Sequence, residues 1–345
     1  MKVSKFYRKI KRTYIIAEIG VNHNNNISIA KKLVLKAKIA GADAVKFQTF
    51  SANKLVIPGT RKVKYQKKDS KDKESHYEMI DKLVLSKKHH KILFEFCNKN
   101  KIEFISTPYD IESAKFLNSL GVRIFKTASA DIIDYDLHTY ISSTKKPVIV
   151  STGMSTIEEI RSLLKIYKNK VENVSLLHCV SNYPCSHRSL NLKSLELLKD
   201  KFNCIIGYSD HSKDNSAACL AVGLGAKIIE KHFTLNKNMK GPDHKASCTP
   251  KELKKLVSDI RKTEIIMGSK TKRKQTEENE MSQISRKSIH YIKNLNKNSI
   301  ITKNSVMALR PGDGVSPMNF PKIIGKRIKK NVKIYEKFKF NHLLK

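Results

Sequence analysis

The residues most suited to chemistry in this chain recur at intervals of about 20 to 60, each just after a short apolar run. Glu18 ends the first run and leads into Val21-Asn22-His23-Asn24. The second delivers Lys46 and Gln48, the third Ser106-Thr107-Pro108-Tyr109-Asp110, and the fourth Lys126, Ser129 and Asp131. Further on come Ser151-Thr152-Gly153, then His178 with Ser181-Asn182-Tyr183, Ser209-Asp210-His211-Ser212, and Glu230-Lys231-His232. Two lysines, several hydroxyls and a glycine turn suit a phosphate-bearing anion, because ammonium groups and small donors neutralise and orient its oxygens. His211 and His232, ending neighbouring runs, can share one divalent metal and leave positions open for substrate and water.

The elements that must carry these groups are legible in the same rhythm. The apolar runs 14–19, 44–47, 102–106, 123–125, 147–150, 174–178, 204–207 and 227–230 alternate with amphipathic stretches such as 27–40, 111–120, 156–168 and 215–223. Alternating strand and helix patterns predict a parallel sheet, and eight units in about 250 residues predict a (β/α)8 barrel, whose active sites sit at the C-terminal strand ends. Ser155 with Glu158 reads as a capping box, and Thr249-Pro250-Lys251-Glu252 as an N-cap, N1 proline and N3 glutamate. The charge-dense segment 61–75 reads as an exposed insertion that either closes over the site or is a solvated loop.

The barrel domain is expected over 1–268. Residues 269–283 read as a polar linker and 284–345 as a small β-rich domain with turns at Lys303-Asn304 and Pro311-Gly312-Asp313-Gly314. A domain of that size is marginal alone, so it is expected to dock against something.

Composition limits the alternatives. The chain has 345 residues, 40% of them hydrophobic, and no run approaches 18 apolar residues, so no membrane partner is expected. The basic start, residues 1–12, lacks the apolar stretch of a signal peptide, which leaves a cytoplasmic location. The net charge of +37 is spread along the whole chain with abundant asparagine and isoleucine, the mark of compositional drift; nucleic acid is not an expected partner. Six cysteines (Cys97, Cys179, Cys185, Cys204, Cys219, Cys248) show no C-x-x-C or zinc-ligand spacing; several lie in apolar stretches and read as buried small hydrophobes, and only Cys179 sits beside functional candidates.

Several strings are similar to those of the sialic acid synthase family. They are Ala17-Glu18-Ile19-Gly20-Val21-Asn22-His23-Asn24, Val45-Lys46-Phe47-Gln48-Thr49-Phe50, Ser151-Thr152-Gly153-Met154, Gly207-Tyr208-Ser209-Asp210-His211-Ser212, and Glu230-Lys231-His232-Phe233-Thr234-Leu235 with Gly241-Pro242-Asp243-His244. Leu309-Arg310-Pro311-Gly312-Asp313-Gly314 resembles the family's C-terminal antifreeze-like (SAF) domain. The resemblance spans about residues 14–340. It implies a barrel followed by an antifreeze-like domain, and a transferase that condenses phosphoenolpyruvate with N-acetylmannosamine or a related N-acyl amino sugar.

In that likeness Lys46, Thr107, Lys126, Ser129, Ser151, Ser181 and Ser209 would hold phosphoenolpyruvate. Glu18, Gln48, Asp131, Tyr183, Asp243 and Arg310 would hold the sugar. His211 and His232 would ligate a divalent metal, manganese in preference to magnesium or cobalt, that polarises the sugar aldehyde. The enol carbon attacks that aldehyde, water adds to the carbon bearing phosphate, and phosphate leaves by C–O cleavage, with Glu18 available for proton movement. Arg310 would reach the site from a partner subunit, making a homodimer with exchanged C-terminal domains.

Some N-acetylneuraminate-forming members carry Thr-Asn-Ile-Tyr-Pro where this chain has Val180-Ser181-Asn182-Tyr183-Pro184, and glutamate where it has Asp131. The sugar therefore extends to the legionaminate and pseudaminate types, built on a diacetamido-trideoxyhexose. Outside this family, a Schiff-base aldolase using Lys46 or Lys126 and a non-catalytic carbohydrate-binding protein are the competing classes.

Overall fold

The computed structural model describes residues 5–62 and 75–344, so residues 63–74 of the expected insertion lie outside the described residues. The chain divides into two compact units, Met1–Gly268 and Ser269–Lys345.

The first unit is a (β/α)8 barrel. Its strands are β1 (Tyr14–Gly20), β2 (Ala44–Thr49), β3 (Glu103–Pro108), β4 (Phe125–Thr127), β5 (Val148–Ser151), β6 (Val174–Cys179), β7 (Ile205–Asp210) and β8 (Ile228–His232). They form one parallel sheet in the order β3-β2-β1-β8-β7-β6-β5-β4, with β3 and β4 lying side by side at the seam. Helices between strands start and stop where the chain signals it. Asn26 caps Ile27–Ala40 by accepting from the Ser28 and Ile29 amides, and Gly41 ends that helix with a left-handed φ of 94°.

The barrel interior is layered by the two-residue period of a strand. Inward side chains Ile16, Ala44, Ile105, Ile124, Ile149, Leu177 and Ile228 form an apolar floor, sealed from below by Tyr7, whose hydroxyl donates to the Val148 carbonyl at 2.8 Å. Gly207 leaves room for this layer: a Cβ there would come within 2.4 Å of Leu177 Cδ2 and 2.5 Å of the Ile228 carbonyl. Two residues beyond each floor position stand Glu18, Lys46, Thr107, Lys126, Ser151, Cys179, Ser209 and Glu230. The polar site is the next layer up the same staves.

Sequence-based bounds fall short at most strand ends. The fourth strand, expected over 123–125, covers Phe125–Thr127, and the seventh, expected over 204–207, runs to Asp210. The reason is common to both: polar residues at the mouth of a barrel look like loop, yet their backbones still pair. The Ser155/Glu158 capping box is also displaced by one. Thr156 and Glu159 make it, while Ser155 Oγ donates to the Thr152 carbonyl. The Thr249/Glu252 box is present with Pro250 at N1.

The second unit has its own apolar core, centred on Ile289, Tyr291, Ile301, Ile323, Ile328 and Phe338. Strands β9 (Ser288–Tyr291) and β10 (Val306–Leu309) pair antiparallel, and isolated bridges connect the remaining loops. The stretch read as linker is partly helical: a 3-10 turn at Thr276–Glu278 is followed by a helix, Asn279–Ser285. Among the described residues no helix is long and apolar enough to cross a membrane.

Candidate active site

A cavity of about 300 Å³ opens at the C-terminal ends of the barrel strands. Its lining includes Glu18, Lys46, Gln48, Lys126, Ser129, Ser151, Ser181, Tyr183, Ser209, His211, His232 and Asp243. Two barrel residues expected in the site lie off the lining. Thr107 is buried beneath it and accepts a hydrogen bond from Lys46 Nζ at 3.1 Å. Asp131 sits in the turn after β4, with Oδ2 enclosed and without a hydrogen-bond partner. Arg310 is exposed at the end of β10, in the second unit.

At the centre are four buried charges. Lys46 Nζ lies 2.9 Å from Glu18 Oε2 and 3.8 Å from Glu230 Oε1, and Lys126 Nζ lies 3.8 Å from the same Glu230 oxygen. Sheet register creates this cluster: Glu18 stands opposite Lys46 on one side and His232 on the other, and Ser209 stands opposite Glu230. Ser209 Oγ donates to Glu230 Oε1 at 3.2 Å, and Lys126 Nζ donates to Ser151 Oγ at 2.6 Å. Burial pushes Glu18 up to about 7 against the pull of Lys46. Burial depresses Lys126 below the ordinary lysine value. On Lys46 burial acts the same way, but the carboxylates of Glu18 and Glu230 outweigh it and raise the pKa.

Such a cluster is nearly neutral as it stands. An incoming multiply charged anion could take over the lysines, and two carboxylates that can accept protons make that exchange tolerable in a desolvated site. Glu230 was visible in the sequence only as part of Glu230-Lys231-His232. Alternation along β8 was the available signal, since it turns Glu230 inward with His232 and Lys231 outward.

A smaller cradle adjoins Lys126. The Gly153 amide donates to Ser129 Oγ at 3.0 Å, and a Cβ on Gly153 would come within 2.4 Å of Ser181 Oγ and 2.8 Å of Ser129 Oγ. Glycine keeps this pocket of hydroxyls open.

The two histidines meet at the same mouth, with ring centroids 5.5 Å apart and the Tyr183 ring 4.0 Å from His211. His211 Nδ1 is 2.7 Å from the Val180 carbonyl. A carbonyl can only accept, so Nδ1 carries the proton and a neutral ring keeps its lone pair on Nε2, the arrangement found in metal-ligating histidines. His232 Nδ1 is buried without a hydrogen-bond partner, and burial drives this imidazole well below its usual pKa, into the neutral form a metal needs. These two residues fit a divalent cation. Among the described residues no group of three or more His, Cys, Asp or Glu is placed to hold one, so exogenous ligands would complete the shell. Cys179, the one cysteine that the sequence sets beside the candidate residues, lines the cavity with Sγ 3.8 Å from His211 Nδ1.

The chain matches the NeuB family over residues 33–272. It belongs to that family. It is 43% identical over 324 residues to the N,N'-diacetyllegionaminic acid synthase of Legionella pneumophila, covering 92% of this chain and 91% of the relative. With the Campylobacter jejuni protein of the same name it shares 42% over 327 residues, covering 94% and 98%. Among solved structures it is similar to the N-acetylneuraminic acid synthetase of Leptospira borgpetersenii in complex with citrate. The TM-score there is 0.70 at 33% identity, covering 79% of this chain and 90% of that one. The chain is accordingly an enzyme, a phosphoenolpyruvate-dependent synthase of nonulosonic acids.

Proposed function

We propose that the cavity condenses phosphoenolpyruvate with an open-chain, N-acylated amino sugar, releasing phosphate. The observation that carries this reading is the buried Lys46–Glu18–Glu230–Lys126 cluster standing beside the paired histidines His211 and His232. Lys46 and Lys126 would take the phosphate and carboxylate charges, helped by Ser129, Ser151, Ser181 and Ser209, while Thr107 holds Lys46 in place from below. Glu18, with its pKa raised to about 7, is suited to take or give a proton near neutral pH. Gln48, Tyr183 and Asp243 would orient the sugar.

His211 and His232 would hold a divalent ion, manganese by preference, which supplies Lewis-acid polarisation of the acceptor's carbonyl when bound. Arg310 would donate to the sugar's acyl oxygen from the second unit of a partner chain, in a homodimer that shares its sites.

Two acceptors suit the reading. N-acetylmannosamine would give N-acetylneuraminate. A diacetamido-trideoxyhexose would give a legionaminate-type product, and the names of the two bacterial relatives favour it. Phosphate release from phosphoenolpyruvate, measured with manganese against both sugars, tests the function. Turnover is expected only with an acceptor present, and it should disappear on exhaustive chelation or in His211→Ala and His232→Ala. Chelator-resistant turnover, or trapping of substrate on lysine by borohydride, would favour a Schiff-base aldolase instead.

A further inference from the structure

Beneath the floor of the barrel, at the end opposite the candidate active site, lies a larger cavity of about 1100 Å³. It runs under the starts of six strands. Tyr14 opens β1, Glu103 opens β3, and Asp43, Arg123, Pro147 and Asn173 stand just before β2, β4, β5 and β6. The N-terminal segment lines one side with Phe6 and Ile10, which pack against the apolar floor beside Tyr7. No group assigned to the synthase reaction lines this cavity, because the floor layer of Ile16, Ile105, Ile149 and their neighbours lies between the two.

The lining carries six cations, Lys9, Lys11, Arg12, Lys101, Arg123 and Lys145, against two carboxylates, Asp43 and Glu103. Arginines already match both acids: Arg12 Nη2 lies 3.3 Å from Asp43 Oδ1, and Arg123 Nε donates to Glu103 Oε1 at 3.1 Å. Among the described residues Lys9, Lys11, Lys101 and Lys145 form no ion pair. Four like charges about one concavity repel one another, and a polyanion relieves them.

Two of these lysines stand where the backbone suits glycine. Other helix-to-strand turns at this end of the barrel use Gly41, Gly121 and Gly225, with φ of 94°, 90° and 99°. The turns after the helices Lys87–Lys99 and Tyr135–Ser143 place Lys101 and Lys145 there, at φ of 54° and 60°. A left-handed backbone strains an L side chain and leaves glycine free, so the turns themselves gain nothing from lysine. What lysine adds is an ammonium group at the rim.

The inner surface is aromatic. Phe94 is held edge-on to Phe104 at 5.7 Å, and Tyr14 edge-on to Phe6 at 5.7 Å. The Tyr14 hydroxyl is enclosed without a hydrogen-bond partner, an exception among buried polar groups. Half-buried rings offer their faces to a flat heterocycle, and the rim ammonium groups suit phosphate oxygens. These contacts lie inside a concavity, which favours a small ligand over a nucleic-acid strand or a membrane surface.

We infer that this cavity is a second binding site, for a nucleoside di- or triphosphate whose phosphates lie among Lys9, Lys11, Lys101 and Lys145 and whose base lies against Phe94 and Tyr14. The inference stands apart from the synthase reading.

Calorimetric titration of the full-length protein with ADP and CDP tests it, with adenosine, cytidine and pyrophosphate as the separate halves. At least one nucleotide should bind about tenfold or more tightly than either of its halves, since base and phosphates are both engaged. The double variant Lys101→Gly/Lys145→Gly removes two charges at positions that glycine fits. Its melting temperature should hold or rise, while the nucleotide Kd should increase by about 10- to 100-fold. Phe94→Leu should weaken the nucleotide and leave pyrophosphate unchanged. A Kd above about 1 mM for both nucleotides overturns the site. Pyrophosphate binding as tightly as the nucleotides also overturns it, leaving only a general affinity for anions. Nucleotide that phosphoenolpyruvate displaces, with the double variant unaffected, sits in the barrel mouth instead and overturns it too. A single-stranded oligonucleotide that binds where mononucleotides do not, and is lost in the double variant, replaces the nucleotide with nucleic acid.

Discussion

Lys231 Nζ donates to Asp210 Oδ2 at 2.6 Å, on the outward face of the two strands whose inward face ends in His211 and His232. The same ammonium donates to the carbonyls of Ser212 and Asp214 at 2.8 and 3.0 Å. One buried cation thus ties β8 to the loop that leaves β7, and that loop starts with His211.

Lys231→Met is expected to strand the Asp210 carboxylate in a dry setting. Removing one partner of a buried pair costs about 3–5 kcal/mol, so the thermal midpoint should fall by roughly 6–20 °C. Because the loop carrying His211 loses its anchor, manganese affinity should drop by about 10- to 100-fold. Calorimetric metal titration below the melting range checks the second effect separately from the first.

Lys46→Ala and Lys126→Ala should each raise the KM for phosphoenolpyruvate or lower kcat sharply. Loss of a charge-assisted bond to a buried anion costs on the order of 2–5 kcal/mol, tens- to thousands-fold in kcat/KM. Steady-state kinetics at saturating sugar decide the point, and unchanged phosphoenolpyruvate kinetics in both variants would remove the lysines from the site.

Asp131 should make the protein less stable as pH rises. Burial, reinforced by the nearby Asp134, raises its carboxyl to about 7, above the ordinary aspartate value of 3.8. Between these values the folded chain keeps a proton that the unfolded chain has released, so stability declines through that window and levels off above it. Asp131→Asn removes the dependence. Its melting temperature should match the unaltered protein near pH 4 and exceed it by a growing margin up to pH 8, measured by scanning calorimetry across that range.

Arg310 can be tested by complementation. A guanidinium offers an acyl oxygen a fixed fork of donors that lysine does not reproduce, so Arg310→Ala and Arg310→Lys should both be impaired. His211→Ala and Arg310→Ala, each inactive alone, should recover part of the activity when mixed under conditions of subunit exchange. One site of the mixed dimer then has an intact barrel and an intact arginine. Demonstrated heterodimers with no recovery would rule out sharing of the site between subunits.

The sequence by itself determined the periodicity and therefore the barrel. Apolar runs followed by polar residues reflect eight staves whose lower positions fill a core and whose upper positions face a mouth, a constraint that acts residue by residue along the chain. For the same reason Lys46, Lys126, His211 and His232 stand out in the sequence alone. What only the tertiary structure decided was which groups touch. Glu230 joins the two lysines because β8 is in register with β7 and β1, and Lys231, its neighbour, is turned to the outside to hold Asp210. Thr107 and Asp131 carry equally suggestive side chains, yet one lies under the cavity and the other beside it. The lysines at the foot of the barrel, Lys9, Lys11, Lys101 and Lys145, have no spacing that marks them, since they come from separate short segments joined only by packing. Side-chain type and strand period are local properties that a linear reading preserves, while register, facing and cavity shape arise from contacts between residues far apart in the chain.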